Sequence, residues 1–232
     1  MDSENRSCKG GSDRAQTARR TVGKQLSLAA ITVGGGMLLG RCLGLVRELT
    51  LSASLGVSRE ADFATLAITV PDLLNALMIG GAMSAVLVPE YYRQVREVSE
   101  KAGQRFIAEC AFLVGLCSVV VAVALALGAS YVTSALAPGM TGSDHDYAMR
   151  LLRVVLVGFP FCTVTAVYAA ALEAKHRVCA PAFSNVVFNL IAIGGIALTV
   201  AYGNLLWVAV GTLFATAGRL MLVVCAGINA RL

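Results

Sequence analysis

A cluster of ionisable side chains interrupts the first long apolar segment of the chain. Arg41, Arg47 and Glu48 lie within a run that extends from about residue 26 to residue 53. A charged residue at the centre of a membrane helix costs about 2.5–3.5 kcal/mol on insertion scales, so it normally faces a partner or a wet cavity. A guanidinium pairs bidentately with phosphate. The pattern predicts an anion-receiving cavity, with a buried ion-pair cluster between helices as the alternative.

Helical spacing indicates which of these side chains share a face. Arg41 and Glu48 are seven residues apart and return to nearly the same side of an α-helix. One carboxylate cannot fully offset two guanidiniums, so we expect this helix to keep a net positive charge toward the bundle interior. Asp72 and Asn75, three residues apart in the next apolar run, also share a face. The two helices would then line one polar cavity, unless Arg47 and Glu48 reach the outer headgroup layer.

The composition indicates that these residues sit in membrane-spanning helices. Of the 232 residues, 57% are hydrophobic and 14% are charged, whereas a soluble domain has about 25% charged residues. A bilayer-spanning helix needs about 20 mostly apolar residues. Six stretches qualify, at about 26–53, 61–88, 106–136, 147–172, 181–202 and 205–226. We predict an all-α membrane protein with a six-helix transmembrane bundle, preceded by a disordered basic cytoplasmic leader at residues 1–25.

The distribution of basic residues predicts the orientation of the bundle. If the N-terminus is inside, 14 of the 19 Lys and Arg residues fall in inner segments, including Arg219 and Arg231 at the end of the last helix. Inner loops of membrane proteins carry an excess of Lys and Arg. The sequence therefore predicts a multi-pass protein of the bacterial inner membrane with both ends in the cytoplasm.

Glycines recur at every fourth position of the first helix, at Gly36, Gly40 and Gly44. A strip of small residues permits close approach of a second helix. Two interpretations follow: tight static packing, or a surface on which a moving helix slides.

Residues for catalysis or metal binding are not evident in the sequence. It contains no HExxH, GxSxG or phosphate-loop motif. The seven cysteines form no CxxC pair, and His145 and His176 fall in loops predicted on opposite sides of the membrane. We therefore expect no enzymatic activity, no metal and no cofactor. The net charge of +5 is explained by orientation, so no nucleic-acid partner is expected.

Several motifs, in order between about residues 40 and 219, resemble the MurJ (MviN) family of lipid II flippases, within the superfamily of multidrug and oligosaccharidyl-lipid exporters. They are Gly40-Arg41-Cys42-Leu43-Gly44-Leu45-Val46-Arg47-Glu48, Asp62-Phe63, Val70-Pro71-Asp72-Leu73-Leu74, Gly81-Ala82-Met83-Ser84 through Val88-Pro89, Leu136-Ala137-Pro138-Gly139, Phe159-Pro160, and Ala180-Pro181-Ala182 through Asn185 and Asn189. Each motif alone is weak, but their order is specific.

The resemblance implies a mechanism and site residues. Two six-helix lobes would enclose a cationic cavity that opens alternately to each side, while the undecaprenyl tail of a lipid-linked saccharide stays in the bilayer. Arg41 and Arg47 would contact the diphosphate. Residues for gating or charge balance would be Glu48, Asp62, Asp72 and Asn75. The partners implied are membrane lipid, the lipid-linked substrate and a second lobe, supplied by another copy or a separate chain.

The chain departs from the family pattern near the second helix. Asn75 and Ala76 stand where the family typically has arginines, and Asp72 replaces an asparagine. Fewer guanidiniums and an added carboxylate weaken the attraction for a diphosphate, which favours a glycan other than lipid II. Alternating access also needs a second lobe. The alternative functions are a non-transporting membrane scaffold and an inactive truncated copy associated with cell-envelope assembly.

Overall fold

The structure is a computed structural model that describes residues 31–56, 58–79, 82–136, 139 and 142–230, without the side chains at positions 71, 72, 74, 75, 77–79 and 82. Nine α-helical segments occupy most of these residues, which confirms the predicted all-α class. They are α1 (31–55), α2 (Arg59–Ile79), α3 (Ala82–Glu97), α4 (Glu100–Leu127), α5 (Ala129–Leu136), α6 (Ser143–Leu156), α7 (Phe159–Ala174), α8 (Cys179–Tyr202) and α9 (Leu206–Asn229). The predicted leader lies outside the described residues.

Four stretches of the described chain are long and apolar enough to cross a membrane. They are α4, the pair α6 and α7 taken together, α8 and α9, and they correspond to the last four predicted spans. Helices α1 and α2 are not among them, and both contain several charged residues. The count of six spans therefore remains a prediction.

Three predicted spans differ from the helices that form. The span 61–88 becomes α2 followed by α3, which continues to Glu97. The span 106–136 divides at Gly128 into α4 and α5, and 147–172 divides after Leu156 into α6 and α7. Pro160 lies in the first turn of α7, where its missing N–H and its ring oppose a continuous helix. Apolar run length thus located the spans but not their internal breaks.

Helices α8 and α9 form a hairpin in which the two backbones touch. A Cβ atom built on Gly195 would lie 2.8 Å from the Cα atom of Gly211, and one on Gly211 would lie 2.6 Å from the Cα atom of Gly195. Gly203 turns the chain between the helices in the left-handed conformation, with φ of 63°. The hairpin is therefore packed at its crossing point without any intervening side chain.

Helix α1 packs on α8 through the glycine strip. Cβ atoms at Gly36 and Gly40 would lie 3.2 Å from the Phe183 ring and 3.0 Å from the Asn185 Cβ atom. At Gly44 the nearest side chain is Asn189, at 3.6 Å. The contacting residue numbers rise together, so α1 and α8 run parallel. The strip is a packing surface in this structure.

Helix α4 presents its large apolar side chains outward. Its buried stripe consists of Gly103, Ile107, Ala111, Ser118 and Ala122. Its exposed large side chains include Phe112, Leu113, Leu116, Val120, Val123 and Leu127. A soluble protein would reverse this arrangement, because bulky apolar side chains would be withdrawn from water. The outer face of α4 therefore suits contact with lipid tails.

The contact between α8 and α9 predicts a position-specific response to substitution. Gly195→Ala places a methyl group inside the backbone contact, and overpacking of this kind costs roughly 1–3 kcal/mol. We expect a lower midpoint of thermal unfolding, measured by circular dichroism in detergent. Gly194→Ala is the matched control, because a Cβ atom there has no neighbour within 4 Å. Equal midpoints for the two variants would contradict the observed crossing.

Candidate functional site

Arg47 is a buried cation on the packed face of α1. Its residue surface is only 4% exposed, and its Nη2 atom donates a 2.8 Å hydrogen bond to Oε1 of Glu48. The guanidinium carbon also lies 5.7 Å from the centroid of the Phe188 ring on α8, within the range of a cation–π interaction. Arg47 is thus held between a carboxylate and an aromatic ring where α1 meets α8.

Arg41 lies on a different side of the same helix. Its side chain is exposed. Arg47 follows it by six positions, which places the two about 120° apart around the helix axis. Arg41 shares its flank with Glu48, as the spacing predicted, but the Glu48 carboxylate binds Arg47. The structure therefore does not bring the two guanidiniums together: one is buried and the other is open on the surface of the bundle.

The position of Arg47 along the bundle axis follows from its neighbours on α8. Tyr202 and Trp207 form an aromatic pair, with ring centroids 5.8 Å apart, at the turn between α8 and α9; such residues favour the membrane–water interface. Asn189, which contacts Gly44, precedes Tyr202 by 13 residues, or about 20 Å of helix. Arg47 follows Gly44 by almost one turn, so it lies about 15 Å from the aromatic pair along the helix axis. The headgroup position stays an alternative for Arg47.

Asp62 belongs to a separate surface. It is exposed near the start of α2 and lines a groove of about 720 Å³ that also includes Thr65, Thr69 and Asp144. Arg59, which also lines the groove, donates a hydrogen bond to the Asp144 carboxylate. Asp62 is therefore placed beside an ion pair that links the start of α2 to the start of α6.

Asp72 and Asn75 occupy helical positions in α2, but their side chains lie outside the described residues. Their predicted part in charge balance stays a prediction.

Helix α9 holds a second buried arginine, which the sequence pattern did not identify as buried. Arg219 is 4% exposed within α9, and its Nε atom lies 3.3 Å from Ser184 Oγ on α8. The orientation argument had assigned Arg219 to the inner end of the last helix. An arginine well inside the apolar run 205–226 was itself the signal, because such residues are rare in membrane segments and face the bundle interior.

Helix α8 carries the polar contacts that connect its neighbours. Ser184, one turn before Phe188, accepts a hydrogen bond at Oγ from Nε of Arg219 on α9. Asn189 donates hydrogen bonds from Nδ2 to the Gly40 carbonyl of α1, at 2.9 Å, and to the Asn185 carbonyl, at 3.0 Å. Sequence spacing could not identify these pairs, because they join residues 35 and 149 positions apart.

The chain resembles known proteins over most of its length. A family model described as "Lipid II flippase MurJ" matches residues 51–229. The lipid II flippase MurJ of Burkholderia cenocepacia is 27% identical over 164 residues, covering 70% of this chain and 32% of the relative. The probable lipid II flippase MurJ of Rhizobium tropici is 27% identical over 180 residues, covering 75% of this chain and 33% of that protein. The chain thus spans about a third of the length of these curated relatives.

Solved structures share the fold. A lipid II flippase MurJ in an inward closed conformation superposes with a TM-score of 0.74 at 22% identity, covering 86% of this chain and 42% of that one. A transporter of the MOP superfamily from Pyrococcus furiosus gives a TM-score of 0.65 at 15% identity, covering 84% and 43%.

The family match covers more than three quarters of the sequence, from the last turn of α1 to the end of α9. Arg41 and Arg47 precede the matched segment, so their roles are not part of this match. The family model, the curated relatives and the solved flippase structure each match most of the chain. The chain belongs to the lipid II flippase MurJ family.

Proposed function

We propose that this chain is one lobe of a flippase for a lipid-linked saccharide, a transporter and not an enzyme. The observation that carries the proposal is a guanidinium, Arg47, buried inside an apolar bundle, with the exposed Arg41 on the same helix. Phosphate groups cannot cross a bilayer core unaided, because the cost of an unpaired charge there is prohibitive. Two arginines on one helix would lower that cost for a diphosphate.

The two arginines would act differently in this mechanism. Arg41 is exposed and can present its planar fork to two phosphate oxygens. Arg47 is packed against Phe188 and bonded to Glu48, so it would contribute positive potential and hold α1 in place. The Glu48 side chain is 49% exposed, which would let it exchange partners as substrate arrives. Asp62, Asp72 and Asn75 would complete the charge balance on α2.

A second lobe would enclose the cavity. Exposed Arg41 on α1 and exposed Asp62 and Thr69 on α2 suit a wet interior better than lipid. Alternating access requires two lobes that rock about a site near the midplane. We propose that another copy of this chain or a separate chain supplies the second lobe, and that the loss of arginine at Asn75 and Ala76 favours a glycan other than lipid II.

We also propose a six-span lobe with both ends in the cytoplasm, residues 1–25 forming the leader. The inner segment around α3 and α4 is rich in carboxylates as well as Lys and Arg. Hydrogen bonds from Gln94 and Arg93 lower the pKa of Glu90, and Arg105 pairs with Glu109 at 2.8 Å. These pairs do not weaken the orientation argument, because orientation follows Lys and Arg and depends little on acidic residues.

Substitution of Arg41 tests the transport proposal. We expect Arg41→Gln to lower the rate of lipid-linked saccharide flipping by at least about tenfold in proteoliposomes that contain the partner lobe, because a charge-assisted phosphate contact is lost. The exposed position of Arg41 should leave the thermal unfolding midpoint unchanged. Arg47→Ala should lower both the rate and the midpoint, since Arg47 is also a packing residue.

The matched control is Arg105→Gln. Its side chain is 82% exposed on α4 and distant in sequence from the cluster, so flipping should stay within about twofold of the unsubstituted protein. Unchanged flipping in Arg41→Gln would reject the cavity role. A chain that crosslinks to envelope proteins but never supports flipping would point to the scaffold function.

Orientation can be tested with single cysteines in a background that lacks the native ones. We expect Asp146→Cys, at the start of α6, to react with a membrane-impermeant maleimide in intact cells. Arg177→Cys, in the exposed turn between α7 and α8, should react only after permeabilisation. The opposite labelling pattern would overturn the proposed topology.

A further inference from the structure

The groove beside the first half of α2 is a binding surface that does not include Arg41 or Arg47. Its volume is about 720 Å³, within the range of pockets that hold small organic ligands. Helix α2 forms one wall. The opposite wall is formed by Leu136, Gly139, Gly142, Ser143 and Asp144.

The wall formed by α2 is amphipathic along the groove. Asp62, Thr65 and Thr69 recur at helical spacing and are exposed, while Leu73 supplies apolar surface beside them. The Thr65 hydroxyl donates to the Ala61 carbonyl at 2.7 Å, so its oxygen lone pairs remain available to a donor. Three polar groups in a row on a membrane helix make this groove unsuited to a lipid tail.

The charges of the groove disfavour an anionic ligand. It contains one guanidinium, Arg59, against two carboxylates, Asp62 and Asp144. Arg59 is already bonded to Asp144. A phosphate would therefore meet a net negative site with its single cation engaged. A neutral ligand rich in hydroxyl and amide groups is compatible with these donors and acceptors, and its C–H faces can rest on the apolar residues.

We propose that this groove is a subsite for the saccharide portion of the substrate. Phe63, Ala67 and Ile68 of α2 pack in one cluster with Leu51 of α1, which lies one turn beyond Arg47. Phe63 belongs both to this cluster and to the lining of the groove. A saccharide joined to a diphosphate near α1 would extend from there toward Arg59. This inference rests on the proposed function and adds the residues that hold the glycan.

The test is direct binding of a soluble glycan to the full chain. We would measure the affinity for N,N′-diacetylchitobiose by saturation-transfer NMR in phospholipid nanodiscs, which contain no competing alkyl-glycoside detergent. Thr65→Val with Thr69→Val removes two hydroxyls at nearly constant volume. We expect saturable binding to the unsubstituted chain and about a tenfold higher dissociation constant for the double variant, as for the loss of two neutral hydrogen bonds.

Thr50→Val is the matched control. The Thr50 hydroxyl bonds to the carbonyl four residues earlier at 2.7 Å, as the Thr65 hydroxyl does, but it lies on α1 outside the groove. This variant should bind the disaccharide within about twofold of the unsubstituted chain. Absence of saturable binding, or equal affinity in the double variant, would overturn the saccharide assignment.

Inorganic diphosphate separates this inference from the proposed function. If Arg41→Gln weakens diphosphate binding while the double variant of Thr65 and Thr69 leaves disaccharide binding unchanged, the saccharide subsite is wrong and the anion site stands. If that double variant weakens disaccharide binding while Arg41→Gln leaves diphosphate binding unchanged, the groove stands and the anion site is wrong.

Discussion

The arrangement of this lobe depends on placing a guanidinium inside an apolar bundle. A buried arginine is tolerated only when carboxylate, aromatic or polar partners replace its water. Glu48 and Phe188 do this for Arg47, and Ser184 contributes for Arg219. Phe188 and Ser184 both belong to α8, whose side chains face α1 on one side and α9 on the other. Helix α8 is therefore the element against which both buried cations are positioned.

Glycines allow α1 to pack closely against α8. The strip on α1 lets its backbone approach α8 closely enough for the Gly40 carbonyl to receive the Asn189 amide. The strip ends at Gly44, three residues before Arg47, and its neighbour Asn189 adjoins Phe188 in α8. Close backbone packing and charge burial therefore lie next to each other in this fold.

Much of the fold could be predicted from the sequence, but less of the site. Apolar runs located the helices from α4 to α9, because the bilayer imposes a length on hydrophobic segments. They could not show that α3 continues to Glu97, because the backbone hydrogen bonds of a helix can continue beyond the end of the apolar run. The spacing of Arg41 and Glu48 predicted their shared flank, yet it could not predict that Glu48 binds Arg47. Partners such as Arg219 and Ser184 depend on tertiary packing, which helical periodicity does not contain.

The contact between Gly195 and Gly211 limits how this sequence can vary. A larger residue at most packed positions can be accommodated by a smaller partner, but here both partners already have no side chain. No second substitution at the contact can therefore relieve the first. A relative that carries a larger residue at either position must change the crossing of α8 and α9 itself, and with it the placement of every side chain that α8 presents to α1.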